Sequence, residues 1–356
     1  MTDLKNNLEI FDAIATRRDQ RRSFLRFAGG SAVALGGASL LAACGDDNND
    51  TGTITPTPTP TPTATTGVTD ADVLNFALNL EYLEAQFYAY AAFGVGLNAS
   101  LLTGTGAPGT VATGTGAGFP RQVAFSDPVV QQYAREIAID EVAHVAFLRS
   151  ALGTSAVAQP AINISGGTAA APGAFSLAAR AAGVVDTTNG VFDPYADDNS
   201  FLLGAYIFED VGVSAYKGAA PLIGNKLYLE AAAGILAAEA YHAGLIRTLL
   251  YRKGLQTPNP ITALITGANK ISDARDSLDG TVTNATINVI GDDDQGITGS
   301  DATMSNIVPT DANGLAFSRS TGQVLNIVYL SKAAVSLGGF FPAGVNGSLR
   351  VSAANA

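Results

Sequence analysis

The sequence is poor in the residues that carry most protein chemistry. Its 356 residues include one cysteine, two histidines and no tryptophan, and only 14% of them are charged. The single cysteine, Cys44, excludes internal disulfides, cysteine-based zinc sites and iron–sulfur clusters. The net charge of −11 argues against nucleic acid as a partner, because nucleic-acid binding needs a clustered basic surface. Any histidine chemistry must use His144 or His242.

The N-terminal segment has the pattern of an export signal. Arg21 and Arg22 form a twin-arginine motif, and the uncharged stretch 27–43 that follows is shorter than the roughly 20 residues of a spanning helix. The Leu-Ala-Ala-Cys sequence at 41–44 is typical of a lipobox, in which Cys44 is acylated. The alternative is a short transmembrane anchor with an incidental cysteine. We expect an exported periplasmic or cell-envelope lipoprotein, anchored to the membrane through Cys44.

Composition divides the chain into four parts. We predict a twin-arginine lipoprotein signal peptide at 1–43 and a Thr-Pro-rich linker at 44–68, whose composition favours an extended chain over a packed core. A helical domain is predicted at 69–254 and a C-terminal extension packed on it at 255–356.

Four long segments of the predicted domain have helical periodicity and helix-capping residues at their ends. They are 69–93, 126–153, 199–218 and 225–254. Four such helices favour an all-α four-helix bundle, here with long Gly-rich loops. The periodicity also predicts a short helix at 175–182. One or two extra helices, at 261–278 and 320–334, are predicted in an otherwise irregular C-terminal extension.

Two short motifs match known binding patterns only weakly. The Gly104-x-Gly106-x-x-Gly109 sequence matches the dinucleotide fingerprint, but no predicted strand precedes it and no predicted helix begins at it. We interpret it as a chance match in a low-complexity loop. The three aspartates at 292–294 are interpreted as a solvated acidic turn rather than a calcium site, because the full calcium-loop pattern is missing.

The candidate functional residues are inward-facing carboxylates and imidazoles. Both histidines follow a glutamate by three residues, which places each pair on one face of a helix. These pairs lie in the apolar stripes of the second and fourth predicted helices, and the other two helices each turn a glutamate inward. The inward residues are Glu81, Glu141, His144, Glu209, Glu239 and His242.

Four buried carboxylates need compensating positive charge. Burial without it costs several kcal/mol per ion, and none of the stripe positions is Lys or Arg. Two divalent cations would balance the charge, and mixed imidazole and carboxylate ligands suit iron or manganese. One glutamate from each of two helices, with Glu-x-x-His from the other two, is the ligand set of dimetal carboxylate bundles. The alternative is surface Glu/His pairs or hydrogen-bonded core histidines.

The spacing of tyrosines indicates an internal repeat. Tyr88 follows Glu81 by seven residues, and Tyr216 follows Glu209 by seven. Each of these helices is followed by a Glu-x-x-His helix. The chain therefore reads as two related helix pairs that face each other across a pseudo-twofold axis.

Longer motifs carry a family resemblance. The segment 79–88, Asn-Leu-Glu-Tyr-Leu-Glu-Ala-Gln-Phe-Tyr, is similar to the first helix of bacterial ferritin-like proteins related to plant desiccation-related proteins. A second signature lies in the tail, at 317–319, 323–329 and 338–347. The chain thus resembles the ferritin-like superfamily over most of 69–350. The long Gly-rich loops differ from compact ferritins.

The resemblance implies a role for each inward residue. Glu141 and Glu239 would bridge two metal ions, iron or manganese, and His144 and His242 would each bind one of them. Glu81 and Glu209 would be the terminal ligands. Glu84 also lies near the inner face and stays an alternative to Glu81, which the spacing to its tyrosine favours.

The resemblance also implies residues that support the ligands. Asp140 resembles an aspartate that fixes a ligand histidine by hydrogen bonding, and a solvated helix charge is the alternative. Tyr88 and Tyr216 are expected to be core tyrosines bonded to ligand carboxylates.

Two functions fit these residues best. The first is redox chemistry of a dimetal site with dioxygen or peroxide, either ferroxidase-like or catalase-like. The second is a non-catalytic envelope protein for stress or desiccation tolerance, with a structural or vestigial metal site. Surface adhesion through the C-terminal region ranks third. The lipid tether argues against a closed ferritin cage, and smaller oligomers stay open.

Overall fold

The computed structural model describes residues 67–256, 261–280, 294–299 and 304–355. The predicted signal peptide with Arg21 and Arg22, the lipidation site Cys44 and nearly all of the linker lie outside these residues. Within them the structure is helical and has no strands beyond isolated β-bridges, which confirms the all-α prediction. None of their helices has the combined length and apolar character needed to cross a bilayer.

The bundle consists of the four long helices that the periodicity predicts. They are α1 (Asp70–Phe93), α2 (Pro128–Leu152), α4 (Asp198–Ala219) and α5 (Lys226–Gln256). Thr69 and Asp72 form the expected capping box at the start of α1, and Asp127 caps α2 ahead of its N1 proline. Helix α1 packs chiefly on α2, and α4 packs chiefly on α5. The two pairs face each other, so that their inner stripes enclose one core.

Three shorter helices surround the bundle. They are α3 (Ala174–Ala181), α6 (Ile261–Asp279) and α7 (Thr321–Tyr329). Helix α7 ends five residues earlier than the predicted 320–334, because Leu330 adopts a left-handed conformation with φ of 55°. The peptide N–H groups of Leu330 and Ser331 then bond back to the last turn of α7, which terminates the helix.

The Gly-rich loops pack against each other instead of projecting into solvent. Residues 105–112 run alongside 156–162, joined by hydrogen bonds such as Ala158 N to Thr105 O at 2.8 Å. Gly109 is needed there, because a Cβ atom would lie 2.0 Å from the backbone N of Ala161. The glycine motif therefore serves loop packing, and no helix begins at it.

The C-terminal signature ties the tail to the bundle. Asn346 exchanges two hydrogen bonds of 2.9 Å with the Asn79 side chain of α1. Its own amide donates to the carbonyl oxygens of Ala107 and Ala158, both at 2.9 Å, and so fixes both loops. Phe340 is fully buried, with its ring 4.9 Å from that of Phe208 and 5.2 Å from that of Phe175.

A buried network of ion pairs also joins the C-terminal extension to the bundle. Arg247 of α5 and Arg275 of α6 both bind Asp210 of α4, at 2.7 and 2.8 Å. Asp294 accepts from Arg275 at 2.7 Å and from Arg319 at 2.9 Å. The interpretation of Asp294 as part of a solvated acidic turn is therefore wrong, because two guanidinium groups compensate its charge inside the protein. Asp292 and Asp293 lie outside the described residues.

Truncation of Phe340 tests the role of the tail. Phe340→Ala is expected to lower the free energy of unfolding by about 3–5 kcal/mol, because it leaves a cavity inside the aromatic cluster. Leu337→Ala in the same segment removes a side chain that is 53% exposed and should cost less than about 0.5 kcal/mol. Denaturant unfolding of both variants measures the difference. Equal values would mean that the tail does not stabilise the bundle.

Candidate metal centre

The six predicted inward side chains meet in the middle of the bundle. Helix α1 contributes Glu81 and α4 contributes Glu209, and the Glu-x-x-His pairs come from α2 and α5. The four carboxylates are at most 1% exposed, and the two imidazoles at most 5%. They lie on inner stripes because a spacing of three or four residues returns to the same face of a helix.

Glu141 lies between the two imidazole rings. Its Oε1 is 3.0 Å from Nδ1 of His242, and its Oε2 is 3.7 Å from Nδ1 of His144. The two ring centroids are 6.2 Å apart. A single carboxylate therefore directs one oxygen to each half of the site.

The ligand atoms form two overlapping groups, in each of which they lie within 4.8 Å of one another. Glu81, Glu141, His144 and Glu239 make up one group, and Glu209, Glu239 and His242 the other. In the first group Nδ1 of His144 is 3.2 Å from Glu81 Oε2 and 3.5 Å from Glu239 Oε1. In the second, Nδ1 of His242 is 3.8 Å from Glu209 Oε2. Glu239 belongs to both groups, and Glu141 reaches both histidines.

Eight buried polar atoms of these six residues have no hydrogen-bond partner. They are Glu81 Oε2, both carboxylate oxygens of Glu141 and of Glu239, Glu209 Oε2, and Nδ1 of both histidines. Such atoms are strongly disfavoured in an interior unless something ligates them. Convergent oxygen and nitrogen donors with no other partner fit divalent cations. The buried cluster could thus hold metal, and its two groups fit a pair of ions.

Each of the two tyrosines forms a hydrogen bond with a glutamate of the opposite helix pair. The hydroxyl of Tyr88 on α1 donates to Glu209 Oε1 on α4, and the hydroxyl of Tyr216 on α4 donates to Glu81 Oε1 on α1. Each tyrosine thus orients the carboxylate of the opposite helix pair. The other oxygen of each carboxylate is left facing the centre.

Asp140 contacts one of the two histidines. Its Oδ2 lies 3.5 Å from Nε2 of His242, on the far side of the ring from the nitrogen that faces the centre. This is the position from which a carboxylate orients a ligand imidazole and increases its basicity.

Glu84 is buried and belongs to neither ligand group, although its Oε1 and Oε2 of Glu239 both lie near Gly212. It lines a small cavity of about 10 Å³ with mostly apolar residues, including Leu80, Phe208 and Phe340. That space holds about one water molecule. Glu81, not Glu84, is within 3.2 Å of a histidine nitrogen, so the geometry favours Glu81 as the first-helix ligand.

The metal-free cluster retains protons. Burial raises the pKa of Glu81 to about 8, and it raises the pKa values of Glu209 and Glu239 as well. Burial opposes the charged form of both histidines, yet the surrounding carboxylates raise their pKa values well above the usual range. Burial also disfavours ionised Glu141, but the two adjacent imidazoles lower its pKa overall. A bound cation must displace these protons, because metal ligands bind deprotonated.

Gly212 is a site residue that the sequence reasoning missed. A Cβ atom at this position would lie 2.4 Å from Glu239 Oε2, so only glycine lets that carboxylate approach α4. An isolated glycine inside a helix, three residues after Glu209, was the signal that could have identified it.

Enlarging Gly212 tests this close approach. Gly212→Ala is expected to displace Glu239 and to weaken metal binding by at least about 10-fold. The matched control is Gly244→Ala on α5, where a Cβ atom meets nothing within 4 Å. That control should retain affinity and gain up to about 1 kcal/mol of stability. Metal titration of both variants measures their affinities. Unchanged affinity in Gly212→Ala would contradict the close approach of Glu239 to α4.

Comparison with known families identifies the bundle. The model of the ferritin-like domain matches residues 69–252, which are more than half of the chain. The chain belongs to the ferritin-like family. This membership accounts for the four-helix core and for the buried cluster of glutamate and histidine.

Two curated proteins are similar to this ferritin-like chain. The desiccation-related protein PCC13-62 of Craterostigma plantagineum is 30% identical over 283 residues, which cover 77% of this chain and 82% of the relative. The ferritin-like catalase Nec2 of Nesocodon mauritianus is 28% identical over 292 residues, which cover 79% and 84%. No solved structure matches significantly. The predicted relationship to desiccation-related ferritin-like proteins is confirmed.

Proposed function

We propose that this ferritin-like protein holds two iron or manganese ions and reacts with peroxide or dioxygen. The observation that carries the proposal is the convergence of eight unpartnered buried donor atoms on one point of the bundle. Two such ions, when bound, supply electrons to or accept electrons from dioxygen or peroxide. Which of the two metals the site takes is part of the test.

Each ligand has a distinct role in this proposal. Glu141 and Glu239 would hold both ions, because the two oxygens of Glu141 face different histidines and Glu239 belongs to both ligand groups. His144 with Glu81 would complete one half of the site, and His242 with Glu209 would complete the other. The two tyrosine hydroxyls hold the terminal carboxylates in place, and the apolar core around the centre excludes bulk water.

Peroxide is the first substrate to test. The relative Nec2 is named a ferritin-like catalase, and its similarity extends over most of both chains. Similarity of this extent supports related chemistry but does not establish it, because folds host many functions.

The test is metal content followed by peroxide turnover. Protein matured in its own host should contain about two iron or manganese ions per chain, by elemental analysis. Loaded protein should release one dioxygen for every two hydrogen peroxide molecules consumed, measured with an oxygen electrode. Metal-free protein that cannot be loaded with either ion would overturn the proposal.

A non-catalytic role is the second candidate. The relative PCC13-62 is named a desiccation-related protein, and the long packed Gly-rich loops are compatible with a structural protein of the envelope. Here the metal would serve stability alone. Loaded protein that is inert to peroxide and to dioxygen would favour this function over the first.

We also propose that the protein is exported and tethered to the membrane by lipid. The twin-arginine pair Arg21 and Arg22 and the lipobox cysteine Cys44 support this proposal. Mass spectrometry of the mature protein should find a diacylated N-terminal cysteine. Cys44→Ala should move the protein from the membrane fraction to the soluble fraction, whereas an unmodified cysteine would exclude the lipid anchor.

A further inference from the structure

The two halves of the metal centre are related by the internal repeat. Each half has a terminal glutamate, a shared glutamate, a histidine and a tyrosine at equivalent positions. The equivalent pairs are Glu81 with Glu209, Glu141 with Glu239, His144 with His242, and Tyr88 with Tyr216. The hydrogen bonds of the tyrosines follow the same symmetry, because each crosses to the opposite terminal glutamate.

Asp140 breaks this symmetry. It directly precedes Glu141 on α2, and the equivalent position before Glu239 on α5 is Ala238. The carboxylate of Asp140 reaches across to Nε2 of His242. An alanine at the equivalent position offers no such group to His144, whose carboxylate contacts within the described ranges are all made through Nδ1.

We infer that the two metal positions are unequal and that the first cation binds at the His242 position. This inference rests on the proposed metal centre. A carboxylate on the outer ring nitrogen orients the imidazole and makes its inner nitrogen a stronger donor, and loss of such a partner typically weakens metal affinity 10–100-fold. Asp140 also adds a negative charge on the same side of the site. His144 lacks both contributions from its equivalent position.

The position at which the first ion binds distinguishes unequal sites from simple repulsion between two ions. A second divalent cation is repelled by the first wherever the first one binds, so two unequal binding steps would arise even in a symmetric site. Variants that remove one half at a time separate the two explanations.

Titration of the metal-free full chain with Mn²⁺ tests the inference. His144→Ala should keep the first-ion affinity of the wild type within about 3-fold, whereas His242→Ala should lose at least about 10-fold. Electron paramagnetic resonance should show an isolated Mn²⁺ signal at one equivalent of metal and a coupled pair at two. Equal first-ion affinities in the two histidine variants would overturn the inference.

Asp140→Asn and Ala238→Asp refine the test. The asparagine variant keeps the shape of the side chain and should lower first-ion affinity about 10–100-fold, so that one equivalent of Mn²⁺ distributes over both positions. Ala238→Asp should raise the affinity for the second ion. Unchanged thermal unfolding of metal-free Asp140→Asn controls for folding. If Asp140→Asn lowers the affinities of both binding steps equally, the inference is wrong. Wild-type protein that binds no Mn²⁺, Fe²⁺ or other divalent ion would refute the metal centre itself.

Discussion

Glu141→Gln is expected to lower the metal content from the proposed two ions per chain to less than one. The two oxygens of Glu141 face different histidines, so that the substitution affects both halves of the site at once. It replaces a charged donor by a neutral amide whose nitrogen cannot ligate a cation. The loss of affinity should exceed about 100-fold, the upper range for residues that only support a ligand.

The matched control for this variant lies on the same helix. Glu136 of α2 is exposed and outside the cluster, so Glu136→Gln should bind metal as the wild type does. Equilibrium dialysis followed by elemental analysis measures both variants. The double variant Glu141→Gln with His144→Ala should bind essentially no metal. If Glu141→Gln retained two ions, the assignment of Glu141 as a shared ligand would be wrong.

The metal-free protein should become less stable as the pH rises from 5 to 8, and bound metal should reverse this trend. The pKa of Glu81 is raised from 4.5 to about 8, so the folded state holds a proton that the unfolded chain has already lost. Its stabilising contribution is complete below pH 4.5 and disappears as the pH rises through 8. Glu209, Glu239 and both histidines shift in the same direction.

The lowered pKa of Glu141 does not cancel the loss of stability that the metal-free protein shows as the pH rises. Its pKa is lowered, so its contribution is lost only as the pH falls below the ordinary glutamate range. Between pH 5 and 8 the raised groups decide the sign. Divalent cations compete with the same protons for the ligand atoms. The stabilisation of the folded protein by bound cations therefore grows with pH.

Calorimetry from pH 5 to 8 checks the trend. Chelated protein should lose about 5–10 °C of Tm over this interval, which corresponds to a few kcal/mol for a domain of this size. The Tm of the metal-loaded protein should stay constant or rise over this interval. Glu81→Gln should flatten the dependence of Tm on pH in the chelated protein. A rise in Tm of the chelated protein with pH would mean that the cluster is ionised without metal.

The sequence predicted the bundle well, and the six side chains that it placed on inner faces meet in the described structure, because few residues could take part. With two histidines in the chain, each three residues after a glutamate, the helical period placed each pair on one face, and the apolar stripe identified that face as the inner one. The apolar stripes and the seven-residue spacing to a tyrosine then favoured Glu81 and Glu209, and capping residues fixed the start of α1 and α2 to within two residues. These features are local, so that a single helix contains the whole signal.

The contacts of the C-terminal extension could not be predicted in this way. Asp294 looks like a surface charge in the sequence, and only the fold brings it within 2.9 Å of Arg319 inside the protein. The crossing of the tyrosines is also not local, since the seven-residue spacing suggested two equivalent helices but not which carboxylate each hydroxyl would meet. The early end of α7 depends on a left-handed residue, Leu330, which is not a type that signals a helix end.

The bonds between Asn346 and Asn79 join residues that are 267 positions apart in the sequence. The first bundle helix therefore meets these partners only after residue 346 has left the ribosome. A nascent chain that stalls before residue 340 would lack the ring that closes the aromatic cluster around Phe208. Completion of this fold thus has to wait until the C-terminal signature has been synthesised and released from the ribosome.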